Sequence, residues 1–206
     1  MQRTGRIAFF IVAGLVFLSA LGTGAPAQQA DPATAAFDRG MAASKAEKYQ
    51  AAIQEFDEAI RLKPAFSQAY NFRGEAYDRL YEENRAAADY DQAVALDPNN
   101  ADALFNLARN RGRRGAHVDA VSTLNRVIKL KPDLQYAYKE RAYNHFSMKS
   151  YSLALQDLDT ALKLQPDDPD VYGNRAVLRY NMGEHRLAFS DFRPRLEARS
   201  QLCRSL

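Results

Sequence analysis

The sequence predicts an all-α fold made by stacking one helical hairpin several times, and two observations predict it. Proline recurs every 34 residues, at Pro64, Pro98, Pro132 and Pro166, each two places after a leucine (RLKP, ALDP, KLKP, KLQP). Between these marks the apolar residues fall three and four apart, as at Leu155, Leu158, Ala161 and Leu162, which is the spacing of one helix face. An internal period of this length defines a repeat architecture and takes precedence over any local motif.

Other positions keep the same step. Alanine recurs at Ala52, Ala86, Ala120, Ala154 and Ala188, and a large residue follows four later at Phe56, Tyr90, Leu124, Leu158 and Phe192. A small residue stands twelve before each alanine, at Gly40, Gly74, Ala108, Ala142 and Ala176, where two helix backbones must come close. Tyr70, Leu104, Tyr138 and Tyr172, near the start of each first helix, fill the space between neighbours. Proline ends each second helix, since it lacks the amide donor and clashes with the preceding turn. One hairpin cannot bury its own apolar face, whereas a stack of hairpins can. The frame gives an array over 33–193, with units 33–66, 67–100, 101–134 and 135–168 and a partial fifth at 169–193.

The segment before the array reads differently. A basic start (MQRTGR) leads into an apolar run over residues 7–21 and then small residues ending in Ala25-Pro26-Ala27. That is the layout of a signal peptide over 1–27 with an A-x-A cleavage site, followed by a short linker at 28–32. The run is short of the roughly 20 apolar residues a membrane span needs. Export to a bacterial periplasm is the expectation; the alternative is an uncleaved anchor in the inner membrane that leaves the array facing the periplasm. Formal charge is +3, and loss of Arg3 and Arg6 with residues 1–27 would leave 26 basic against 25 acidic side chains. A nearly neutral chain has no general field to gather polyanions, which excludes nucleic acid as a partner.

The repeated positions resemble those of the tetratricopeptide repeat (TPR) family: small at eight, alanine at twenty, aromatic or leucine at twenty-four, alanine at twenty-seven and proline at thirty-two. The resemblance implies a right-handed α-solenoid whose concave face, lined by the first helices, binds a protein or peptide. It also implies that places two, five, nine, twelve and thirteen look into that groove. There stand Phe37, Met41, Phe105, Tyr136, Lys139, Tyr143, Phe146 and Tyr180, together with Arg109 and Arg113 of the basic stretch ARNRGRRGAH. An aromatic trough with a mid-groove basic spot would suit a segment with apolar anchors and an acidic group. The clamp by which some TPR modules grip a C-terminal carboxylate is absent, because Phe37, Met41, Phe72, Asp102 and Asn106 stand at its places.

The remaining features are structural expectations. Place seven is Arg39, Arg73, Leu107, Arg141 and Arg175, and place twenty-three is Glu55, Asp89, Thr123, Asp157 and Asp191. The third unit loses both charges together, which favours a bridge inside each of the other four. Arg111 falls in a packed place and is expected to snorkel outward along its stem. Gly112 costs its turn about 1 kcal/mol of helix propensity relative to alanine, making it the soft point of the stack. The first unit has only Ala36 and Ala43 where later units are larger, as befits an edge. In the fifth, Pro194 and Arg195 should end the second helix near Phe192 and leave 194–206 as a basic tail or cap carrying the lone Cys203.

No Cys-x-x-Cys, glycine-rich phosphate loop or Ser-His-Asp arrangement is present. His117, His145 and His185 read as packing or surface residues. The expectation is a non-catalytic protein-interaction adaptor without metal or cofactor. Its alternatives are a membrane-anchored assembly factor and a self-associating structural subunit.

Overall fold

The computed structural model describes residues 31–192. Among the described residues nine complete helices follow one another: α1 (Pro32–Lys45), α2 (Tyr49–Leu62), α3 (Ser67–Arg79), α4 (Glu83–Leu96), α5 (Ala101–Arg113), α6 (His117–Leu130), α7 (Gln135–Ser147), α8 (Tyr151–Leu164) and α9 (Pro169–Asn181). A tenth, α10, occupies 185–192 and reaches the limit of the described residues. The expected end near Phe192, the tail 194–206 with Cys203, and the segment 1–27 lie at or outside that limit.

Two local devices set this rhythm. The residue before each proline is extended: Lys63 (φ −137°, ψ 85°), Asp97 (−137°, 88°), Lys131 (−134°, 83°) and Gln165 (−140°, 94°). Proline disfavours the α conformation at the residue it follows, so α2, α4, α6 and α8 all stop at the preceding leucine. Within each hairpin the turn uses a left-handed residue at place fifteen: Glu47, Tyr81, Gly115, Lys149 and Gly183, all with positive φ. Only two of the five are glycine. An L-residue in that conformation costs about 1–2 kcal/mol, and Tyr81 is 90 % exposed, so its ring offsets little of this. Tyr81→Gly is therefore expected to raise the unfolding free energy by roughly 0.5–1 kcal/mol in a urea titration.

Each helix packs on its sequence neighbours, and α1–α3, α3–α5 and α5–α7 also touch, whereas consecutive even-numbered helices do not come as close. The odd-numbered helices thus lie on the inside of the curve. The small residues at place eight sit under the large residue of the second helix. A Cβ on Gly40 would lie 2.5 Å from Phe56 Cε1, and one on Gly74 would lie 2.8 Å from Tyr90 Cε1. Phe56, Tyr90, Leu124 and Ala108 are fully buried there.

The arginine pattern has a definite geometry. Arg39 Nε donates to Glu55 at 2.8 Å, Arg73 Nε to Asp89 at 2.8 Å, Arg141 Nε to Asp157 at 2.9 Å and Arg175 Nε to Asp191 at 3.0 Å. A third helix joins three of them. Arg73 also bonds Asp57, Arg141 bonds Asn125, and Arg175 bonds Asp159, each on the second helix of the preceding hairpin. One guanidinium thereby fixes the register of three helices, as its rigid fork permits. Tyr70, Tyr138 and Tyr172 lie beneath Arg73, Arg141 and Arg175 at 5.4, 5.6 and 5.4 Å.

The four pairs are not equivalent. Arg39 is 56 % exposed, against 19, 21 and 16 % for Arg73, Arg141 and Arg175. Solvent screening leaves the first pair little to contribute. Burial lifts the Asp89 carboxyl above the usual carboxylate range, and the Arg73 fork offsets only part of this. Burial also opposes the Arg73 charge, but Asp89 and Asp57 outweigh it and hold the guanidinium above its usual range.

The third unit departs from the sequence reading. Arg111 bonds Thr123 Oγ1 and Asp91 Oδ1, both at 3.0 Å. Thr123 and Asp91 stand where the acid and the preceding-helix acceptor stand in other units. The tie is kept, with its arginine moved one helical turn along. Gly112 also proves to be a close contact: α5 runs through it, and a Cβ there would lie 2.7 Å from Oδ1 of the buried Asn144 on α7.

Candidate functional site: the inner face of the odd-numbered helices

The residues expected in one trough fall into separate places. Phe37 belongs to the core: its ring lies 5.8, 5.0 and 5.6 Å from those of Phe56, Phe66 and Phe72. Phe105 is half-buried and meets the edge of Tyr136 at 4.6 Å. Tyr180 is exposed beside His185, with ring centroids 5.0 Å apart. Met41 lines a cavity of about 480 Å³ between α1 and α3.

The expected basic spot is neutralised from within. Arg113 is ion-paired with Asp78 of α3, and Arg109 approaches the same carboxylate at 3.8 Å. Asp78 also accepts from the hydroxyl of the buried Tyr90 at 3.0 Å and from Asn110 Nδ2 at 3.3 Å. Glu75 accepts from Asn106 at 2.8 Å and Asn71 at 3.2 Å, and burial raises its carboxyl above the usual range. Glu140, on α7, is raised by burial too, with the Arg109 and Arg113 charges opposing the shift. The two arginines of α5 thus stand between carboxylates of α3 and α7.

Lys139 is likewise committed. It pairs with Asp168 at 2.9 Å, and Gln135 Nε2 donates to the same oxygen at 2.8 Å. The other Asp168 oxygen caps α9 through the amides of Asp170 and Val171. Burial raises the Asp168 pKa, but the bonds from Gln135, Lys139 and the Asp170 amide overcome this and hold it at about 2. A carboxylate held low stabilises the fold above its ordinary value of 3.8 and loses that effect as pH falls through about 2. Wild type should therefore lose urea resistance between about pH 4 and pH 2, and Asp168→Asn should lose less over the same interval.

The inner face is apolar near its C-terminal end. Tyr143, Phe146, Val177 and Leu178 line a pocket of about 190 Å³ between α7 and α9, floored by Ala154 and Leu158 of α8. Tyr143 is 53 % exposed and Val177 45 %, so the rim is open to solvent. Val177, Lys45, Arg79, Glu75 and Asp78 also belong to this face; they occupy places nine, twelve and thirteen of their units, which the period reaches. His145 lies 3.9 Å from Asp157, and burial lowers its pKa. His117 contacts Asn144 Oδ1 at 3.0 Å. Among the described residues no group of His, Cys, Asp and Glu is placed to hold a metal, and no helix is long and apolar enough to cross a membrane.

Helical hairpins in series with an inner face of first-helix side chains define a class of protein, the helical-repeat solenoid. Tetratricopeptide repeat models match residues 37–81 and 84–134, residues 67–100, and, as a TPR repeat, residues 142–183. The chain belongs to the tetratricopeptide repeat family. Comparison with curated proteins found no match. Among solved structures it is similar to MamA from Desulfovibrio magneticus RS-1 (18 % identity, TM-score 0.78, 83 % of this chain and 97 % of that one). It is also similar to PilF of Pseudomonas aeruginosa (19 %, 0.73, 81 % and 76 %). A third is YrrB, described as a TPR protein with an unusual peptide-binding site (16 %, 0.70, 81 % and 86 %). At these identities the likeness is one of fold: a right-handed α-solenoid.

Proposed function

We propose that this protein is a non-catalytic interaction scaffold that holds a segment of another protein against the inner face of its odd-numbered helices. The observation that carries this reading is the open apolar pocket between α7 and α9. Its roughly 190 Å³ is space for an aliphatic or aromatic anchor, and Tyr143 and Phe146 are side chains of the kind that dominate binding energy in buried interface centres. Export of the chain fits the basic, apolar and small-residue order of 1–27, with the periplasm as its place of action. Mass measurement of the protein recovered from cells separates cleavage after Ala27 from a retained anchor.

Val177→Arg puts a charge on the pocket rim at an exposed place, so the fold should survive. Affinity capture with wild type and with this variant, read by quantitative mass spectrometry, tests the reading. Proteins retained by wild type should be lost from the variant. Recovery of the same proteins by both would overturn it.

A further inference from the structure

A second cavity system lies at the other end of the inner face and differs in chemistry. Met41, Tyr49, Phe72 and Ala76 supply apolar walls between α1 and α3, and Lys45 and Arg79 stand beside them. Glu75 and Arg79 are shared with an adjoining cavity of about 440 Å³ between α3 and α5, which Asp78, Asn106, Arg109 and Arg113 complete. The two form one trough across the first three hairpins.

The trough carries an uneven charge. Four cations line it, Lys45, Arg79, Arg109 and Arg113, against two carboxylates, Glu75 and Asp78. Asp78, with Glu140 from α7, accounts for the two arginines of α5. Glu75 alone is left for Lys45 and Arg79, and it is held inward by Asn71 and Asn106. Among the described residues, Lys45 and Arg79 make no ion pair, and both are exposed. Arg109 Nε is a buried donor without an acceptor among the described residues. In a chain whose total formal charge is only +3, this excess is local, and a concave low-dielectric wall concentrates its field.

We infer that this trough docks an acidic segment of a partner protein, one that places an aliphatic or aromatic residue against Met41 and Phe72 and a neighbouring carboxylate on Lys45 and Arg79. Charge complementarity chooses this occupant: a neutral segment gains nothing at the lip, and a basic one meets two cations that have only Glu75 between them. The site is distinct from the pocket between α7 and α9 and does not depend on it.

A random peptide library displayed on phage and selected on the purified chain provides the test, with Lys45→Glu/Arg79→Glu and Val177→Arg as comparison proteins. Both substituted lip residues are exposed, and circular dichroism checks that the double variant keeps its helix content. The expected enrichment is of peptides with an acidic residue next to an apolar one. An enriched peptide, made synthetically, should lose about tenfold or more in affinity for the double variant and none for Val177→Arg. In ¹³C-methyl methionine spectra it should move Met41 and leave Met182, which packs against the core of the last hairpins, in place. Peptides without acidic bias, no enrichment, equal affinity for the double variant, or a shift at Met182 instead of Met41 would each overturn the inference.

Discussion

Arg141→Leu is expected to lower the unfolding free energy by about 3–5 kcal/mol, because it leaves the Asp157 carboxylate buried without its partner. Arg141 donates through Nε and Nη2 to both Asp157 oxygens at 2.9 and 2.6 Å, and its third nitrogen reaches Asn125 on the preceding hairpin. The substitution therefore removes the charge partner of Asp157 and a tie between two repeats at once. Arg141→Leu/Asp157→Leu leaves no uncompensated charge and should be less destabilised than the single variant. A double-mutant cycle in urea measures the difference, and simple additivity would remove the bridge from the account. Arg39→Leu serves as the control. Its pair is exposed, and its loss should be small by comparison.

Asp78→Leu is expected to cost a similar amount, about 3–5 kcal/mol, by a different route. Asp78 is 5 % exposed and is the shared acceptor of Arg113, Arg109, Asn110 and the Tyr90 hydroxyl. Its removal leaves a cationic pair on α5 facing an apolar side chain and a fully buried phenol without an acceptor. Adding Tyr90→Phe deletes that orphan hydroxyl and should recover about 1 kcal/mol. If Asp78→Leu unfolds at the wild-type urea concentration, the carboxylate does not hold α3, α4 and α5 together.

These two predictions stand differently to the sequence. The Arg141–Asp157 pair is legible in the chain, because an arginine and a carboxylate return at the same two places in four units and vanish together in the third. Asp78 is not legible. It occurs once, at a place filled elsewhere by Ser44, Gly112, Phe146 and Tyr180, so no repetition marks it. Arg111 is an intermediate case: the frame marks its place as packed, but only the fold shows that it takes over the ties lost with Leu107.

The inner face shows the same division. The TPR resemblance indicates which places look inward, although the Phe37 ring at one of them packs into the core. It does not find their partners, since these lie on neighbouring units whose side chains vary independently. Arg109, Arg113 and Lys139 appear in the sequence as free cations for a ligand; in the structure each faces a carboxylate about 30 residues away along the chain, Asp78 or Asp168. The cations that are left over, Lys45 and Arg79, belong to a different part of the face.

By itself, then, the sequence determined the repeat, the all-α class, the ends of α2, α4, α6 and α8 and the ladder of arginine bridges, because each depends on spacing within one hairpin and recurs. Tertiary structure alone decided which charges of the inner face cancel, which aromatic rings become core and where the open cavities fall. Those outcomes depend on how side chains from successive hairpins meet across the stack, and burial makes each meeting consequential: the buried Asp78 carboxylate, for example, takes its cations Arg113 and Arg109 from the next repeat.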